Sequence, residues 1–194
     1  IESRWKVSFP NTAMSKEKFI MEHLLLLDAD VIINLHSLNL WNGVVKNYEV
    51  YVSSTVIREV KHYPDSQHQL IPINLISQID NGTIKELSAS TQDLKILIDK
   101  LNPSKIGLDP GELESIAIIA ENKVEDLKIC VIDKSAIMAL SYLNLDDKVV
   151  STEEVLINGG MLSKGKELPH SNFSKKRFNQ WITHGKLILT TNSS

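Results

Sequence analysis

The sequence LLLLDADVI at residues 24–32 is the clearest indication of the fold. Four consecutive leucines bounded by polar residues are typical of a strand that is buried on both faces of a parallel sheet. The acids Asp28 and Asp30 follow at once, and apolar residues then recur at helical spacing through VIINLHSLNLWNGVV at residues 31–45. We therefore expect a buried strand, a pair of acids and a helix, in that order.

The same alternation of strands and helices continues along the chain. We expect further strands at VYVS (50–53), TIKEL (83–87), LKICVID (127–133) and KVV (148–150). Helices are expected at 54–63, 66–81, 91–101, 111–123, 134–143 and from Ser151 to a Gly-Gly stop. This order predicts an α/β fold, a three-layer α/β/α sandwich with a central, mainly parallel sheet.

Composition narrows the class of protein. A chain of 194 residues, 42% hydrophobic and 23% charged, is long enough for one full core and has the composition of an ordinary globular protein. The single cysteine, Cys130, excludes an internal disulfide framework and a cysteine-based zinc cluster, and the six histidines show no metal-ligand spacing. We find neither a membrane-length apolar run nor a secretory signal, so we expect a cytoplasmic protein with no membrane partner.

Several acids are placed to meet in one crevice. In an open parallel sheet the ligand crevice lies at the carboxyl ends of the strands. Asp28 and Asp133 each follow an apolar strand, Glu112 lies in the first turn of a helix, and Glu59 reaches in from inside another helix. Carboxylates aimed at one crevice repel each other unless a cation neutralises them, and hard oxygen ligands favour Mg²⁺ or Mn²⁺.

This arrangement predicts metal-assisted hydrolysis of a phosphate ester. Asp28, Glu112 and Asp133 are the expected metal ligands, and Glu59 completes the catalytic set. The alternative for an acid at a helix N-terminus, such as Glu112 or Glu114, is that it only stabilises the helix dipole.

Four stretches resemble the motifs of the PIN-domain family of metal-dependent nucleases. They are LLLLDADVII (24–33), VSSTVIREV (52–60), GELESIAIIAEN (111–122) and CVIDKSAIMAL (130–140), and they follow one another in the family's order. The Gly-Glu start of the third motif and the late INGGML (157–162) are similar to a prokaryotic subgroup. Lys134 and Ser135 stand where that subgroup often has a second acid and then an arginine.

The resemblance implies a PIN-like fold, dependence on Mg²⁺ or Mn²⁺, and cleavage of single-stranded RNA. Many prokaryotic members are toxins of toxin-antitoxin pairs, so an antitoxin protein and a homodimer are possible partners. By matching position, Asp28, Glu59, Glu112 and Asp133 take the metal-binding roles. Asp30 and Glu114 would lie behind the direct metal ligands, and Asp30 would orient the metal or a water molecule.

The chain divides into three parts on sequence grounds: a leader at 1–22, a PIN-like nuclease domain at 23–162 and a basic C-terminal extension at 163–194. In the extension we expect a helix near 172–183 and a terminal strand KLILT at 186–190. Lys175, Lys176 and Arg177 are its candidate RNA phosphate contacts. The aromatic residues Phe173, Phe178 and Trp181 would either stack on bases or pack.

Two other functions compete with the nuclease. LDADV (27–31) also matches the first motif of haloacid-dehalogenase-like phosphatases, in which Asp28 would be the covalent nucleophile and Asp30 the acid/base. That family also needs a lysine before a terminal acidic pair, whereas VIDKSAIMA (131–139) supplies one acid only. The third possibility is a non-catalytic PIN-like binding module.

Overall fold

Five short parallel strands form the centre of the computed structural model, which describes residues 24–192. The strands are β1 (Leu24–Leu27), β2 (Glu49–Ser53), β5 (Ile84–Leu87), β6 (Lys128–Cys130) and β7 (Val149–Val150), in the order β5-β2-β1-β6-β7. A separate antiparallel hairpin is formed by β3 (His62–Pro64) and β4 (Leu70–Pro72). β1 is therefore the central strand, and the leader predicted at 1–22 lies outside the described residues.

Helices cover both faces of this sheet. They are α1 (Ala29–Ser37), α2 (Trp41–Asn47), α3 (Ser54–Glu59), α4 (Leu75–Asp80), α5 (Thr91–Leu101), α6 (Pro110–Ala120), α7 (Lys134–Tyr142), α8 (Thr152–Asn158) and α9 (Lys175–Asn192). Successive side chains of a strand point to opposite faces, so Leu25 and Leu27 enter one core and Leu26 the other. The first core holds α1 to α4 and α8, and the second holds α5, α6, α7 and α9. The predicted three-layer α/β/α fold is confirmed.

The helix predicted at 66–81 is wrong in its first half. Asp65 Oδ1 accepts hydrogen bonds from the N–H groups of Gln67 and Gln69, both at 2.8 Å, and His68 has a left-handed φ of 61°. These contacts form the turn of the β3–β4 hairpin. The Asp65 side chain takes up N–H groups that would otherwise donate to backbone carbonyls in a helix. The helix predicted at 54–63 likewise ends at Glu59, since the chain then enters β3.

Two other boundaries differ from the prediction. The helical pattern at 31–45 is two helices, α1 and α2, separated by a turn in which Asn39 has a φ of 56°. The strand predicted at 127–133 ends at Cys130, so Asp133 does not close the strand but caps the helix after it. Strand propensity at Val131 and Ile132 does not extend β6, because they have no partner residue in the neighbouring strands.

The terminal strand predicted at 186–190 is also wrong, because these residues belong to the long helix α9. Ser141 Oγ of α7 donates a hydrogen bond to the carbonyl of Ile182 at 2.7 Å, and Gly185 lets the two helices approach closely at Met138. Ile188 and Leu189 pack against the second core, so tertiary packing outweighs the β preference of KLILT. Among residues 24–192 no helix is both long enough and apolar enough to span a membrane.

Candidate acidic site

Asp28 occupies the carboxyl end of the central strand. It follows β1, takes the N-cap position of α1, and is 5% exposed. Its side chain makes no capping hydrogen bond of normal geometry, although the N–H groups of Ala29 and Asp30 lie close enough to lower its pKa. Burial dominates, and with repulsion from Asp30 and Asp109 it raises the pKa of Asp28 from 3.8 to about 7. The position therefore holds a buried carboxylate whose charge is costly.

Glu112 forms the second buried acid and is held by a neighbour that the sequence prediction missed. Asp109 caps α6, accepting a hydrogen bond from the Glu112 N–H at 2.8 Å, while Glu112 Oε2 accepts one from the Asp109 N–H at 3.0 Å. Glu112 is 6% exposed, and burial raises its pKa from 4.5 to about 8. Asp109, Asp133 and Asp28 add to that rise through repulsion.

Asp133 and Asp30 lie at the starts of α7 and α1, two helices on opposite faces of the sheet. Asp133 is the N-cap of α7, and its Oδ1 accepts hydrogen bonds from Ser135 N–H at 2.5 Å and Ala136 N–H at 3.3 Å. Asp30 is exposed in the first turn of α1. Burial raises the pKa of Asp30, and repulsion from Asp133 and then Asp109 raises it further. These couplings join the acids of α1, α6 and α7 into one electrostatic group.

Glu59, the last residue of α3, is exposed and lies over the first turn of α6. Its Oε2 stands 2.5 Å from the position that a Cβ would take at Gly111. Partial burial raises the pKa of Glu59, Asp109 and Glu114 add to this by repulsion, and Arg58 opposes it. Glu59 is thus at the edge of the acidic group, nearest to Asp109.

Glu114 accepts hydrogen bonds from the backbone of two other segments. It is 5% exposed, and its two oxygens accept hydrogen bonds from Thr55 N–H at 2.7 Å and Ala89 N–H at 3.2 Å. These donors lie at the start of α3 and in the segment before α5. Glu114 therefore ties α6 to the backbone of two other segments, and it touches the site only through its repulsion of Glu59.

Glu114→Ala is expected to lower the free energy of unfolding by about 2–3 kcal/mol, because two backbone donors lose a charged acceptor inside the protein. Glu114→Gln keeps one acceptor oxygen and should cost less. Urea denaturation of both variants provides the measurement. A loss below about 0.5 kcal/mol for the alanine variant would contradict this role.

The acids interact electrostatically but do not yet meet at coordination distance. Within residues 24–192, no three His, Cys, Asp or Glu side chains are arranged to hold a metal ion. One oxygen of Glu112 and one of Asp133 are engaged with backbone N–H groups at helix starts. The donors themselves are all carboxylates, the oxygen ligands that Mg²⁺ and Mn²⁺ prefer. The chemistry of these donors therefore suits such an ion, although their arrangement in this structure brings no three of the described residues together around one.

The basic residues at the start of α9 lie at the same edge of the sheet as the acids. The Lys175 N–H donates to Glu153 at 2.6 Å, and Lys175 Nζ pairs with Glu154 at 2.5 Å. Both glutamates are in the first turn of α8, which begins just after the carboxyl end of β7. The start of α9 is therefore anchored at the carboxyl edge.

The three predicted phosphate contacts are not equally available. Lys175 is paired, and Arg177 donates to Ser171 and Asn172 and lies 5.7 Å from the ring centroid of Trp181. Lys176 is exposed. Phe173 and Phe178 are buried, so of the two roles considered for them packing is the one observed.

No protein-family model matches the chain. A search of curated proteins likewise finds no match.

Asp109 is the residue that the sequence prediction missed, although a local signal was present. The run Asp-Pro-Gly-Glu at 109–112 combines an N-cap residue, a proline at the first helical position and an acid at the third. The pattern predicts the helix start that is observed. The effect of Asp109 on Asp28, Asp30 and Glu59 depends on how α1, α3 and α6 pack, which no local pattern gives.

Proposed function

We propose that this protein is a PIN-like endoribonuclease that hydrolyses phosphodiester bonds of single-stranded RNA with Mg²⁺ or Mn²⁺. The proposal is carried by the buried Asp28 at the end of the central strand, crowded by other acids and without a capping hydrogen bond. A protein keeps buried carboxylates in such an arrangement at a cost in stability. Perturbed carboxylates in a crevice are typical of a functional site. The four motifs that contain these acids favour the nuclease class.

Asp28, Glu112 and Asp133 would hold the metal through their carboxylate oxygens. When bound, the ion would supply a polarised water and neutralise the negative charge that grows on the phosphodiester. The N–H groups of Asp109 and Ser135 donate hydrogen bonds to Glu112 and Asp133 and hold these side chains at the starts of α6 and α7. Asp30 and Glu59, both exposed at the rim, would accept hydrogen bonds from water and orient it.

The start of α9 is the proposed path of the RNA backbone beside the crevice. Lys176 is exposed there, and it is flanked by Lys175, which forms an ion pair with Glu154, and by Arg177, which is hydrogen-bonded to Asn172. Single-stranded RNA binds through phosphate contacts that release counterions. A cation at this edge offsets the repulsion between the RNA and the acids.

Lys176→Glu is expected to weaken RNA binding and to reduce the slope of log affinity against log salt by about 0.7, the contribution of one phosphate contact to a single strand. Binding should be measured on the Asp28→Asn background in EDTA, so that cleavage does not interfere. Lys46→Glu is the matched control, because Lys46 is exposed in the last turn of α2, next to the amino end of β2. An equal effect of both substitutions would remove α9 from the RNA interface.

The proposed activity is tested by incubating end-labelled single-stranded RNA with the protein and Mg²⁺ or Mn²⁺, with EDTA as the negative control. We expect internal cleavage that requires the metal and is lost in Asp133→Asn. Release of phosphate from a monoester, with RNA intact, would favour the phosphatase alternative. A wild type as inert as the variant on both substrates would favour the binding module.

The toxin role, an antitoxin partner and a homodimer come from the resemblance alone and stay predictions. A tight complex with a small protein encoded beside this chain, able to suppress cleavage, is the expected result for a toxin.

A further inference from the structure

Gly111, the second residue of α6, lies directly beneath the carboxylate of Glu59. A Cβ built on Gly111 would stand 2.5 Å from Glu59 Oε2 and 3.3 Å from Glu59 Cδ, both inside normal van der Waals contact. Its backbone is helical, and its φ is not among the positive ones. The backbone conformation at Gly111 is therefore open to other residues. Glycine is needed only for the Glu59 side chain to keep its observed position.

We propose that Gly111 is a positioning residue: the absence of a side chain lets Glu59 of α3 lie over the first turn of α6, at the rim of the acidic crevice. The expected effect on RNA cleavage rests on the proposed nuclease function, whereas the close approach of Glu59 to Gly111 does not depend on it. Asp109 and Glu114 repel the carboxylate of Glu59, and Arg58 attracts it. Because Glu59 is exposed and its Oε2 would stand only 2.5 Å from a Cβ at Gly111, a methyl group there is enough to displace the Glu59 side chain.

The fold should tolerate this displacement. Glu59 is exposed and flexible, and the next atom near the added Cβ is Val56 Cγ2 at 3.4 Å, an ordinary contact. Alanine is also favoured over glycine inside a helix. Gly111→Ala is therefore expected to melt no lower than wild type while RNA cleavage falls about 10- to 100-fold, the cost of misplacing a catalytic group by about an ångström.

Gly107→Ala is the matched control, because no atom lies within 4 Å of a Cβ at that position and its φ is not positive. It should leave cleavage and melting unchanged. Glu59→Ala provides the second arm: in that background Gly111→Ala should cause no further loss, because the residue it acts on is gone. A crystal structure of metal-free Gly111→Ala should show the Glu59 carboxylate moved away from α6.

The positioning role is overturned if Glu59 is unmoved in that crystal, or if Gly111→Ala costs the same activity with and without Glu59. Failure of the proposed function looks different. If the wild type cuts no RNA, the nuclease assignment falls, whereas the position of Glu59 in the variant crystal still decides the role of Gly111.

Discussion

Asp28→Asn is expected to reduce RNA cleavage at least about 100-fold while making the metal-free protein more stable. Asparagine has nearly the same shape but carries no charge, so it is a poor ligand for a divalent ion. The same change removes a buried carboxylate whose charge the nearby N–H groups of Ala29 and Asp30 compensate only in part. We expect the free energy of unfolding in EDTA at pH 8 to rise on the order of 2 kcal/mol, since each unit of pKa elevation corresponds to about 1.4 kcal/mol and part of it is screened.

Single-turnover cleavage and urea denaturation, measured on the same preparations, give the two readouts. Asp99→Asn is the control, because Asp99 is exposed on α5, and it should change neither quantity. Loss of stability in Asp28→Asn would mean that the carboxylate supports the fold, and the site would then be structural. Retained cleavage would place the chemistry elsewhere.

The stability of the metal-free protein should fall as pH rises from about 4 to about 8. The pKa of Asp28 is raised from 3.8 to about 7 and that of Glu112 from 4.5 to about 8, so within this window the folded state binds more protons than the unfolded chain. The slope of the unfolding free energy with pH is then negative. Asp93, whose pKa is lowered to about 2 by Lys123 and Ser90, acts with the opposite sign below this window, and His36, whose pKa burial lowers from 6.5, opposes part of the slope inside it.

Millimolar Mg²⁺ should flatten the upper part of this profile, because an ion that binds only the folded protein adds stability where the carboxylates are charged. Denaturant midpoints measured from pH 4 to 8, with Mg²⁺ or EDTA, give the comparison. Asp28→Asn combined with Glu112→Gln should remove most of the slope and the response to Mg²⁺. A profile that rises between pH 5 and 8 in EDTA would contradict the burial of these two charges.

The parallel sheet was predictable because its strands carry their own signals. LLLL at 24–27 and the apolar core of 127–130 are short buried runs, and each is followed by a polar N-cap and a helix. The hairpin at 62–72 was missed because residues 66–81 have a helical pattern. Its turn is formed by the hydrogen bonds that the Asp65 side chain accepts from Gln67 and Gln69. At 186–190, β-type residues became helical because α9 packs along α7, a contact that sequence periodicity does not reveal.

Within the site, the acids that follow strands or lie at the start of helices were predictable from the sequence. Sequence reasoning placed Asp28, Glu112 and Asp133 around one edge, and their mutual effects on pKa are seen there. It could not separate Glu114, which binds backbone N–H groups, from its neighbour Glu112, because both lie in the same two turns of α6. It also missed Asp109, whose charge affects Asp28 only once the starts of α1 and α6 meet at the carboxyl edge of the sheet.

Metal binding at the carboxyl edge can be measured by anomalous scattering from a crystal of the protein soaked in Mn²⁺. We expect a peak at the carboxyl edge of β1, coordinated by Asp28 and by Glu112 or Asp133 rotated towards it, and no peak there in Asp28→Asn. Manganese bound only elsewhere, with these three side chains unmoved, would contradict the proposed metal site.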